Sequence, residues 1–486
     1  MIIKGMEKLV IKTYDKARQI FSDGTPHGRD NVCIGHATDP YDARITRPVY
    51  LPVRQHVWLI GASGQGKTKA LEIMLQSDLK NGRGFINLDF HGDATASVLR
   101  HIANVTKGPS PHPAQDRLVL IKPSDPDCAV GFNPLARSNG SPYGTALELL
   151  EIVQKLWAVD ALGPRSQEVL RNLFAALVEA GETIDTAETF FTSPLFRAHI
   201  LQSVRNIEVR HYWENRYGAL SDKMQAMYRE PVLNKFSAFI GDPNVLAMVG
   251  QNESSVNFRS LMDEGASIVI DLNKGELKAN AYLLGAFFLA KIKDAAFSRV
   301  DIPEAKRRES YTYLDEFQNI ASDSFVEILA ESRKHALFMR LCHQHLAQLG
   351  RDLKSAITGN VGAILAFRLS HQDAVALAPE LDSKESRRWE RVLQELKVGE
   401  AVLKQKGELP VIVKINKMIT PAVSDEAIKA VKDFSNRRYA RPKPEVLLEI
   451  GERREAMRGS AGAIGFGATN KGNESNGNDD EGQTEW

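Results

Sequence analysis

A glycine-rich loop in the first quarter of the chain has the residue types and spacing needed to bind phosphate groups. It follows the apolar segment 57–60, which has the pattern of a strand, and precedes a segment whose apolar residues recur at helical spacing. Glycines allow backbone N–H groups to close around phosphate oxygens, Lys67 brings a positive charge to the β- and γ-phosphates, and the Thr68 hydroxyl can hold Mg²⁺. The pattern G-x-x-x-x-G-K-[ST] is matched at every position, by Gly61, Ala62, Ser63, Gly64, Gln65, Gly66, Lys67 and Thr68. The loop predicts a site for ATP and Mg²⁺, against the alternative of an ordinary glycine-rich turn.

Two adjacent acids end the apolar segment Tyr311-Thr312-Tyr313-Leu314. Asp315 is placed to complete the Mg²⁺ shell through a water molecule, as a strand-borne Asp does in P-loop NTPases generally. Glu316 can orient and deprotonate a water for attack on the γ-phosphate, so the pair indicates hydrolysis rather than phosphoryl transfer to a metabolite. The alternative is an acidic helix start, which the helix dipole would stabilise. Because the glycine-rich loop is also present, we favour the hydrolytic interpretation.

The length and composition of the chain limit the classes of protein to which it can belong. At 486 residues the chain is too long for a single hydrophobic core, so two domains with tails are expected. A hydrophobic content of 43% and a charged content of 25% are ordinary for a globular protein in water. The three cysteines, Cys33, Cys128 and Cys342, have no paired spacing, which argues against a disulfide framework or a zinc site.

Neither a membrane span nor a signal peptide is visible in the sequence. No apolar run approaches the length of about 18 residues that a span needs, and the best candidate, Ala281 to Ile292, predicts a buried helix. The N-terminal segment carries charges at Lys4, Glu7 and Lys8 and has no apolar core of the kind found in signal peptides. We therefore expect a cytoplasmic protein.

The charge of the chain permits binding to nucleic acid but does not establish it. The formal net charge is +1, and the segment from Lys471 to Trp486 carries a net −4, so its removal leaves +5. Basic residues cluster around Arg307, Arg388, Arg438 and Arg454. Each cluster taken alone is better explained as a solvated helix face than as a DNA contact.

Apolar, β-rich segments alternate with helical segments from about residue 56 onward. This alternation predicts an α/β fold with a mostly parallel sheet covered by helices on both faces. The candidate strands are 57–60, 84–89, 118–121, 267–272, 311–315, 337–342 and 363–368, with a final hairpin formed by 400–405 and 410–415.

Between about residues 143 and 262 the apolar residues recur only at helical spacing, which predicts an all-α domain inserted in the α/β domain. Tyr212, Trp213 and Tyr217 lie in one of its helices and are expected in a helix–helix core rather than stacked on nucleic-acid bases. The predicted organisation is: short strands and turns in 1–50, the α/β domain in 51–142 and 263–420, the inserted domain in 143–262, a helical segment in 421–457 and a disordered tail in 458–486.

Further short segments form a collinear series with the glycine-rich loop. They are Asn87–Asp93, Gly131–Leu135, Ile270–Gly275, Asp315–Asn319, His343–Leu349, Gly359–Gly362, Phe367–Leu369 and Asp373–Ala374. The series resembles the motifs of the HerA–FtsK superfamily of ring ATPases, most closely the soluble relatives of the TraG/TraD-type coupling proteins of conjugation. Phe90 stands where the family usually has proline. The resemblance covers roughly residues 31 to 385 and implies a RecA-like P-loop NTPase domain.

The resemblance also implies roles for residues outside the loop and the acidic pair. Gln344 would end a strand adjacent to the Asp315 strand, and its amide would reach the γ-phosphate or the attacking water. Arg368 would act in the site of a neighbouring subunit, with a structural salt bridge as the alternative. Other candidates are weaker: Arg333 and Lys334 for the role of Arg368, Asp89 and Asp93 for positioning Mg²⁺ or water, and His91, His343 and His345 for structural or polar contacts only.

The residues and the resemblance together favour an ATP-hydrolysing motor that moves DNA of any sequence through a homo-hexameric ring, of the conjugation or type IV secretion kind. Its catalytic residues would be Lys67, Glu316, Gln344 and Arg368. The membrane-bound coupling proteins begin with transmembrane helices and this sequence shows none, so a relaxase or a separate membrane subunit is an expected partner. Two alternatives stay open: a HerA-like helicase or translocase in DNA end processing, and a regulatory P-loop switch whose nucleotide controls assembly with protein partners.

Overall fold

A sheet of eleven strands lies at the centre of the protein. The computed structural model describes residues 30–38, 46–106, 112–137, 141–157, 163–322 and 324–467, with side chains as far as residue 457. The strands are β1 (Asn31–Thr38), β2 (Thr46–Pro52), β3 (Val57–Ile60), β4 (Gly84–Asp89), β5 (Leu118–Ile121), β6 (Cys128–Val130), β7 (Ser267–Asp271), β8 (Ser310–Leu314), β9 (Leu337–His343), β10 (Ala363–Ala366), β11 (Glu400–Gln405), β12 (Val411–Ile415) and β13 (Ala440–Pro442). Their order across the sheet is β2-β1-β12-β11-β10-β3-β9-β8-β4-β7-β5, and β6 pairs with β13 in a small second sheet.

Seven neighbouring strands, from β10 to β5 in that order, run parallel to one another. Parallel strands end at the same edge of a sheet, so the segments that follow β3, β4, β8, β9 and β10 meet there. The remaining four strands extend the sheet in antiparallel fashion, beginning with β11 against β10 and ending with β2 against β1. The sheet therefore has one continuous carboxyl edge in its parallel part and an antiparallel flank.

Alternate side chains of each parallel strand enter different apolar clusters, because successive residues of a strand point to opposite faces. In β3, Val57 and Leu59 belong to one cluster, whereas Trp58 and Ile60 belong to the other. Burial on both faces explains why these short strands read as unbroken apolar runs in the sequence. The predicted α/β class, with a parallel sheet covered on both faces, is confirmed.

The helices are α1 (Lys67–Asn81), α2 (Asp93–Val105), α3 (Pro113–Asp116), α4 (Pro142–Trp157), α5 (Pro164–Ala180), α6 (Ala187–Thr192), α7 (Pro194–Ser203), α8 (Ile207–His211), α9 (Asp222–Ile240), α10 (Pro243–Val249), α11 (Phe258–Glu264), α12 (Lys274–Leu277), α13 (Asn280–Phe297), α14 (Ser324–Glu331), α15 (Arg351–Asn360), α16 (His371–Leu381), α17 (Ser386–Glu395), α18 (Asp425–Tyr439) and α19 (Lys443–Gly467), with a π-helix at Tyr212–Tyr217. In the described part of the chain, no helix combines the length and the apolar character that crossing a bilayer requires.

The segment from α4 to α11, which we call the helical region, contains no strand among its described residues 142–157 and 163–264. Its apolar side chains form one continuous cluster with a face of the sheet. Tyr212, Trp213 and Tyr217 are buried in that cluster, and Trp213 Nε1 donates to the Asn172 carbonyl at 3.2 Å. The expectation that these aromatic residues form a helix–helix core is confirmed. The division into an inserted domain at 143–262, like the other predicted domain boundaries, stays a prediction.

The predicted strands differ from the observed ones mainly at their ends. The candidate 363–368 ends at Ala366 in β10, and the final hairpin appears as β11 and β12, paired antiparallel. The short strands β6 and β13 were missed, because three residues carry too little pattern to be recognised. Helix α13 contains the predicted buried segment from Ala281 to Ile292.

The last described helix crosses the boundary at which the C-terminal tail was predicted to begin. Helix α19 continues past Arg458, where the disordered tail was expected to begin, and ends at Gly467. Extending a helix costs much less than starting one, so a helix nucleated upstream can run on into a glycine-containing segment. The rest of the predicted tail, 468–486, and the predicted N-terminal elements in 1–29 and 39–45 lie outside the described residues.

Candidate active site

The glycine-rich loop connects the end of β3 to the start of α1 at the carboxyl edge of the parallel strands. Gly64 and Gly66 adopt φ values of 72° and 113°, which side chains with a Cβ rarely tolerate. A Cβ on Gly61 would lie 2.6 Å from Cβ of Phe367, so only glycine fits between the loop and the segment after β10. The Ala62 N–H donates to the Arg368 carbonyl at 3.0 Å, which ties the two segments together.

Lys67 is the first residue of α1, and its side chain turns back over the loop. Its ammonium group donates to the carbonyls of Gly61 at 2.6 Å and Ala62 at 2.9 Å. The side chain is only 7% exposed. An ammonium has three donors, so a third remains for a phosphate oxygen in the cavity that the loop borders.

Thr68 and Asp315 come together in the lining of this cavity, with 3.4 Å between Thr68 Oγ1 and Asp315 Oδ2. The cavity has a volume of about 320 Å³, and Lys67, Thr68, Asp315, Glu316 and Gln344 all line it. A hydroxyl and a carboxylate oxygen at this separation are the ligand types that Mg²⁺ prefers, since it binds few protein oxygens directly and retains several waters. The residues present therefore fit a magnesium ion, which Thr68 would bind directly and Asp315 through water.

Glu316 turns the chain sharply after β8 and places its carboxylate beside the cavity. Its φ of 54° is uncommon for a residue other than glycine. Oε2 lies 2.9 Å from Lys274 Nζ, and Oε1 lies 3.2 Å from His91 Nε2. Burial alone would raise the pKa of Glu316, but the contacts with Lys274 and His91 outweigh burial and hold the pKa below its ordinary value. Glu316 is therefore a carboxylate rather than a carboxylic acid in this arrangement.

Gln344 follows β9, which lies between β3 and β8 in the sheet. This order places Gln344 between the glycine-rich loop and the acidic pair, as expected for a residue that reads the γ-phosphate. The loop after β9 is fixed by Asp373: its Oδ1 accepts from the Leu346 N–H at 3.0 Å and its Oδ2 lies 3.3 Å from His345 Nδ1. Ser370 Oγ also donates to Asp373 Oδ2, at 3.0 Å.

Arg368 follows β10 at the same edge of the sheet, and its side chain is exposed. Its carbonyl contacts the glycine-rich loop of its own chain, so the backbone of Arg368 lies beside that loop. Arg333 and Lys334 precede β9 and thus lie at the opposite edge of the sheet from the cavity. Of the three basic candidates, only Arg368 lies next to the glycine-rich loop of its own chain.

Asp89, a candidate for positioning Mg²⁺ or water, uses both of its oxygens to hold the start of α2. Oδ1 accepts from the N–H groups of His91 at 3.1 Å and Gly92 at 2.9 Å. Oδ2 accepts from the N–H and the hydroxyl of Thr95, at 2.7 and 2.8 Å. Although Asp89 borders the cavity, these contacts favour a structural role at the helix start over contact with a metal. Asp93, the first residue of α2, also borders the cavity.

His343 is a packing residue: it stacks on Trp58 with ring centroids 5.6 Å apart, and its Nδ1 accepts from Trp58 Nε1 at 3.1 Å. Burial lowers the pKa of His343 to about 3, so the ring is neutral. Lys274 and Tyr282, which contact Glu316, and Asp373, which fixes the Gln344 loop, were not identified as site residues from the sequence. Lys274 lies in the segment Ile270–Gly275 noted above, whereas Tyr282 has no distinguishing pattern.

Several solved structures have the same arrangement of elements over most of their length. The plasmid coupling protein TrwB in complex with ADP and Mg²⁺ superposes with a TM-score of 0.56 and 14% sequence identity, over 82% of this chain and 98% of that chain. TrwB in complex with the GTP analogue GDPNP gives a TM-score of 0.55 with 16% identity over the same shares. VirB4 of Thermoanaerobacter pseudethanolicus gives 0.51 with 14% identity, over 80% of this chain and 97% of that chain.

No protein-family model matches the sequence, and no curated protein is similar to it at a significant level. At this low identity the structural likeness shows a common fold. It confirms, at the level of fold, the resemblance drawn from the sequence motifs. The chain has the α/β, RecA-like fold of the coupling protein TrwB and of VirB4 over most of its length.

Proposed function

We propose that the protein hydrolyses ATP with Mg²⁺ and uses the energy to move DNA through a ring of identical subunits. The observation that carries this proposal is the convergence of Lys67, Thr68, Asp315, Glu316 and Gln344 on one cavity. Lys67 supplies charge to the phosphates, Thr68 and Asp315 hold the metal, and Glu316 accepts a proton from the attacking water. A phosphate-binding loop alone would serve a switch, whereas an adjacent carboxylate that can deprotonate water supports hydrolysis.

Assembly into a ring, with a hexamer as the expected form, is supported by the position of Arg368. Arg368 is exposed at the carboxyl edge, and its backbone contacts the glycine-rich loop of its own chain. An exposed arginine at this edge can reach the nucleotide of a neighbouring copy and stabilise the charge of the transition state. In a ring with head-to-tail contacts each subunit would complete the site of the next.

DNA as the substrate is supported by a basic segment near the nucleotide site, residues 384–397. It contains five basic and three acidic residues, and the basic ones are exposed: Lys384, Arg387, Arg388, Arg391 and Lys397. Gly399, two residues after this segment, donates its N–H to the carbonyl of Gln65 in the glycine-rich loop at 3.0 Å. This hydrogen bond places the segment close to the nucleotide site. Exposed cations of this kind bind phosphates without reading base sequence.

The decisive experiment is to measure ATP turnover with and without single- and double-stranded DNA, using the Lys67→Ala protein as the matched inactive control. We expect turnover to rise with at least one form of DNA. We also expect DNA binding that tolerates any sequence and weakens steeply with salt. Removing the acidic residues after Lys471 should tighten DNA binding modestly, because their net −4 competes with phosphates for the basic groups.

ATP turnover that is indifferent to every form of DNA, with no salt-sensitive binding, would favour a regulatory P-loop switch instead. DNA-stimulated turnover supports both motor hypotheses, the conjugative coupling motor and the end-processing translocase. The partner found with the protein in cells, a relaxase or a nuclease, separates those two.

A further inference from the structure

The carboxylate of Glu316 is surrounded by hydrogen-bond donors. Oε1 lies 3.2 Å from both His91 Nε2 and Lys274 Nζ, and Oε2 lies 2.9 Å from Lys274 Nζ. The Tyr282 hydroxyl and the Asn319 amide approach Oε2 at 3.4 and 3.5 Å. A carboxylate offers about four lone-pair positions, so these five contacts occupy them.

This saturation matters because of what a general base must do. To take a proton from water, a carboxylate oxygen needs a free lone pair at a distance of about 2.6–3.2 Å from the water oxygen. In the observed arrangement the lone pairs of Glu316 already point at donors, of which Lys274 contacts both oxygens. At least one donor must therefore withdraw before Glu316 can act.

Two of the donors come from one stretch of chain. Lys274 begins the short helix α12 directly after β7, and Tyr282 lies in the first turn of α13. The Lys274 N–H donates to the Phe90 carbonyl at 2.9 Å, and the Tyr282 ring lies 5.2 Å from the Phe90 ring. The stretch is thus anchored on the same loop that carries His91.

Beyond its first turn, α13 packs against the helical region. Phe287 meets Phe239 of α9 edge to face, with ring centroids 6.2 Å apart. Lys293 pairs with Glu148 of α4, and both side chains are largely buried. Because α13 is a continuous helix, a displacement of the helical region would shift the turn that carries Tyr282.

We propose that Lys274 and Tyr282 restrain Glu316, and that movement of the helical region, transmitted through α13, releases it for catalysis. The inference rests on the proposed role of Glu316 as the base. Once released, a Glu316 oxygen accepts a proton from water while the water oxygen bonds to the γ-phosphorus. The bond from that phosphorus to the β–γ bridging oxygen breaks, and ADP leaves. Lys274 and Tyr282 are positioning residues in this scheme, since they act through Glu316.

The test measures steady-state ATP turnover of the full chain without DNA in Lys274→Met, Lys274→Arg and Tyr282→Phe proteins. Lys274→Met should raise kcat about tenfold, a small part of the 10²–10⁴-fold that a general base contributes, while KM for ATP changes less than about twofold. Lys274→Arg, which keeps the charge, should raise kcat less than Lys274→Met does. Tyr282→Phe removes one weaker donor and should raise kcat about twofold.

The matched control is Lys278→Met, which makes the same charge change on the same stretch at an exposed side chain; its rate should equal that of the unaltered protein. DNA should stimulate Lys274→Met less strongly than the unaltered protein, because the restraint is already gone. A lower or unchanged DNA-free kcat in Lys274→Met, or an undiminished stimulation by DNA, overturns the proposal. If the Lys274→Met protein does not bind ATP, the kcat of the Tyr282→Phe protein tests the restraint instead. An unchanged or lower kcat in Tyr282→Phe would then contradict the restraint.

Failure of the restraint and failure of the proposed function give different results. If the function is wrong, the unaltered protein does not hydrolyse ATP or Glu316→Gln hydrolyses it normally, whatever the Lys274 variants do. If only the restraint is wrong, the unaltered protein hydrolyses ATP, Glu316→Gln does not, and Lys274→Met is no faster than its Lys278→Met control.

Discussion

Thr68 Oγ1 lies 3.4 Å from Asp315 Oδ2, although the two residues are 247 positions apart in the chain. Asp315 is fixed by a second contact, since its Oδ1 accepts from the Glu316 N–H at 2.9 Å. Strand β9 lies between β3 and β8 in the sheet, so Gln344, which follows β9, borders the same cavity. The carboxyl edge of the parallel strands thus brings together, from three separate segments, the residues that we propose to hold the metal, to act as the base and to contact the γ-phosphate.

Asp315→Asn should weaken the response to Mg²⁺ more than the binding of ATP. Replacing a carboxylate that holds metal-bound water should raise the Mg²⁺ concentration for half-maximal turnover about 10- to 100-fold, the usual cost of losing an outer-shell partner. A magnesium titration of ATP turnover measures this. Equal Mg²⁺ requirements in the variant and the unaltered protein would exclude Asp315 from the metal site.

Lys67→Ala should weaken ATP binding about 10- to 100-fold, because a hydrogen bond to a charged group contributes about 1.5–3 kcal/mol. Binding of a fluorescent ATP analogue, measured at equilibrium, gives the dissociation constant. Lys80→Ala is a matched control, because it removes the same charge from an exposed side chain in the last turn of the same helix. Unchanged affinity in Lys67→Ala would contradict the assignment of the loop.

Glu316→Gln should keep ATP bound and lower kcat about 10²–10⁴-fold, since the amide keeps the shape of the side chain and loses the base. Rapid filtration after a single round of ATP addition, followed by chromatography of the released nucleotide, distinguishes bound ATP from bound ADP. We also expect this trapped protein to shift toward a hexamer in light scattering when ATP is added. Turnover close to normal would mean that another group activates the water.

Arg368→Ala should lower turnover strongly, by up to about 10³-fold, if the arginine acts in the site of a neighbour. Mixing Arg368→Ala subunits with Lys67→Ala subunits should then restore part of the activity, because the second supplies Arg368 to the intact loop of the first. A mixture of Lys67→Ala with Glu316→Gln is the control and should stay inactive, since both defects lie within one subunit's site. No recovery in the first mixture contradicts a shared site.

His56 should make the protein less stable in mild acid. It is fully buried, and its Nδ1 accepts from the Met339 N–H at 2.9 Å, which requires a neutral ring. Burial, with help from the charges of Arg340 and Arg333, lowers its pKa to about 3. The unfolded chain, with a histidine pKa of about 6.5, therefore binds more protons than the folded one between pH 6.5 and 3. Stability is lost as the pH falls through that window, at up to about 1.4 kcal/mol per pH unit.

The measurement is the unfolding midpoint at pH 7.5 and at pH 5 for the unaltered protein and for His56→Gln, whose amide oxygen can accept the same hydrogen bond without titrating. The pH dependence should be weaker in His56→Gln, while the exposed-site control His36→Gln keeps the full dependence. Identical pH dependence in all three proteins would show that His56 does not remain neutral in the fold.

The local parts of the site could be predicted from the sequence. The loop from Gly61 to Thr68 is recognisable because it depends on glycine conformations and on the spacing of its own residues. The acids Asp315 and Glu316 indicate a strand end because they directly follow an apolar run. The parallel strands were recognisable because burial on both faces makes each an unbroken apolar segment. These features are determined by residues close together in the chain, so they can be predicted from the sequence pattern.

The partners of Glu316 and the role of Asp89 were decided only by the tertiary structure. Lys274 and Tyr282 reach Glu316 because β7 and β8 both neighbour β4, which brings the segments after them to one edge. Asp89 could have faced a metal or the start of α2, and the turn after β4 directs its carboxylate to backbone N–H groups. Both outcomes depend on strand order and on the path of loops between residues far apart in sequence. Hydrophobic pattern and spacing carry no information about that order, because the free energy that selects it comes from packing the whole sheet and its helices together.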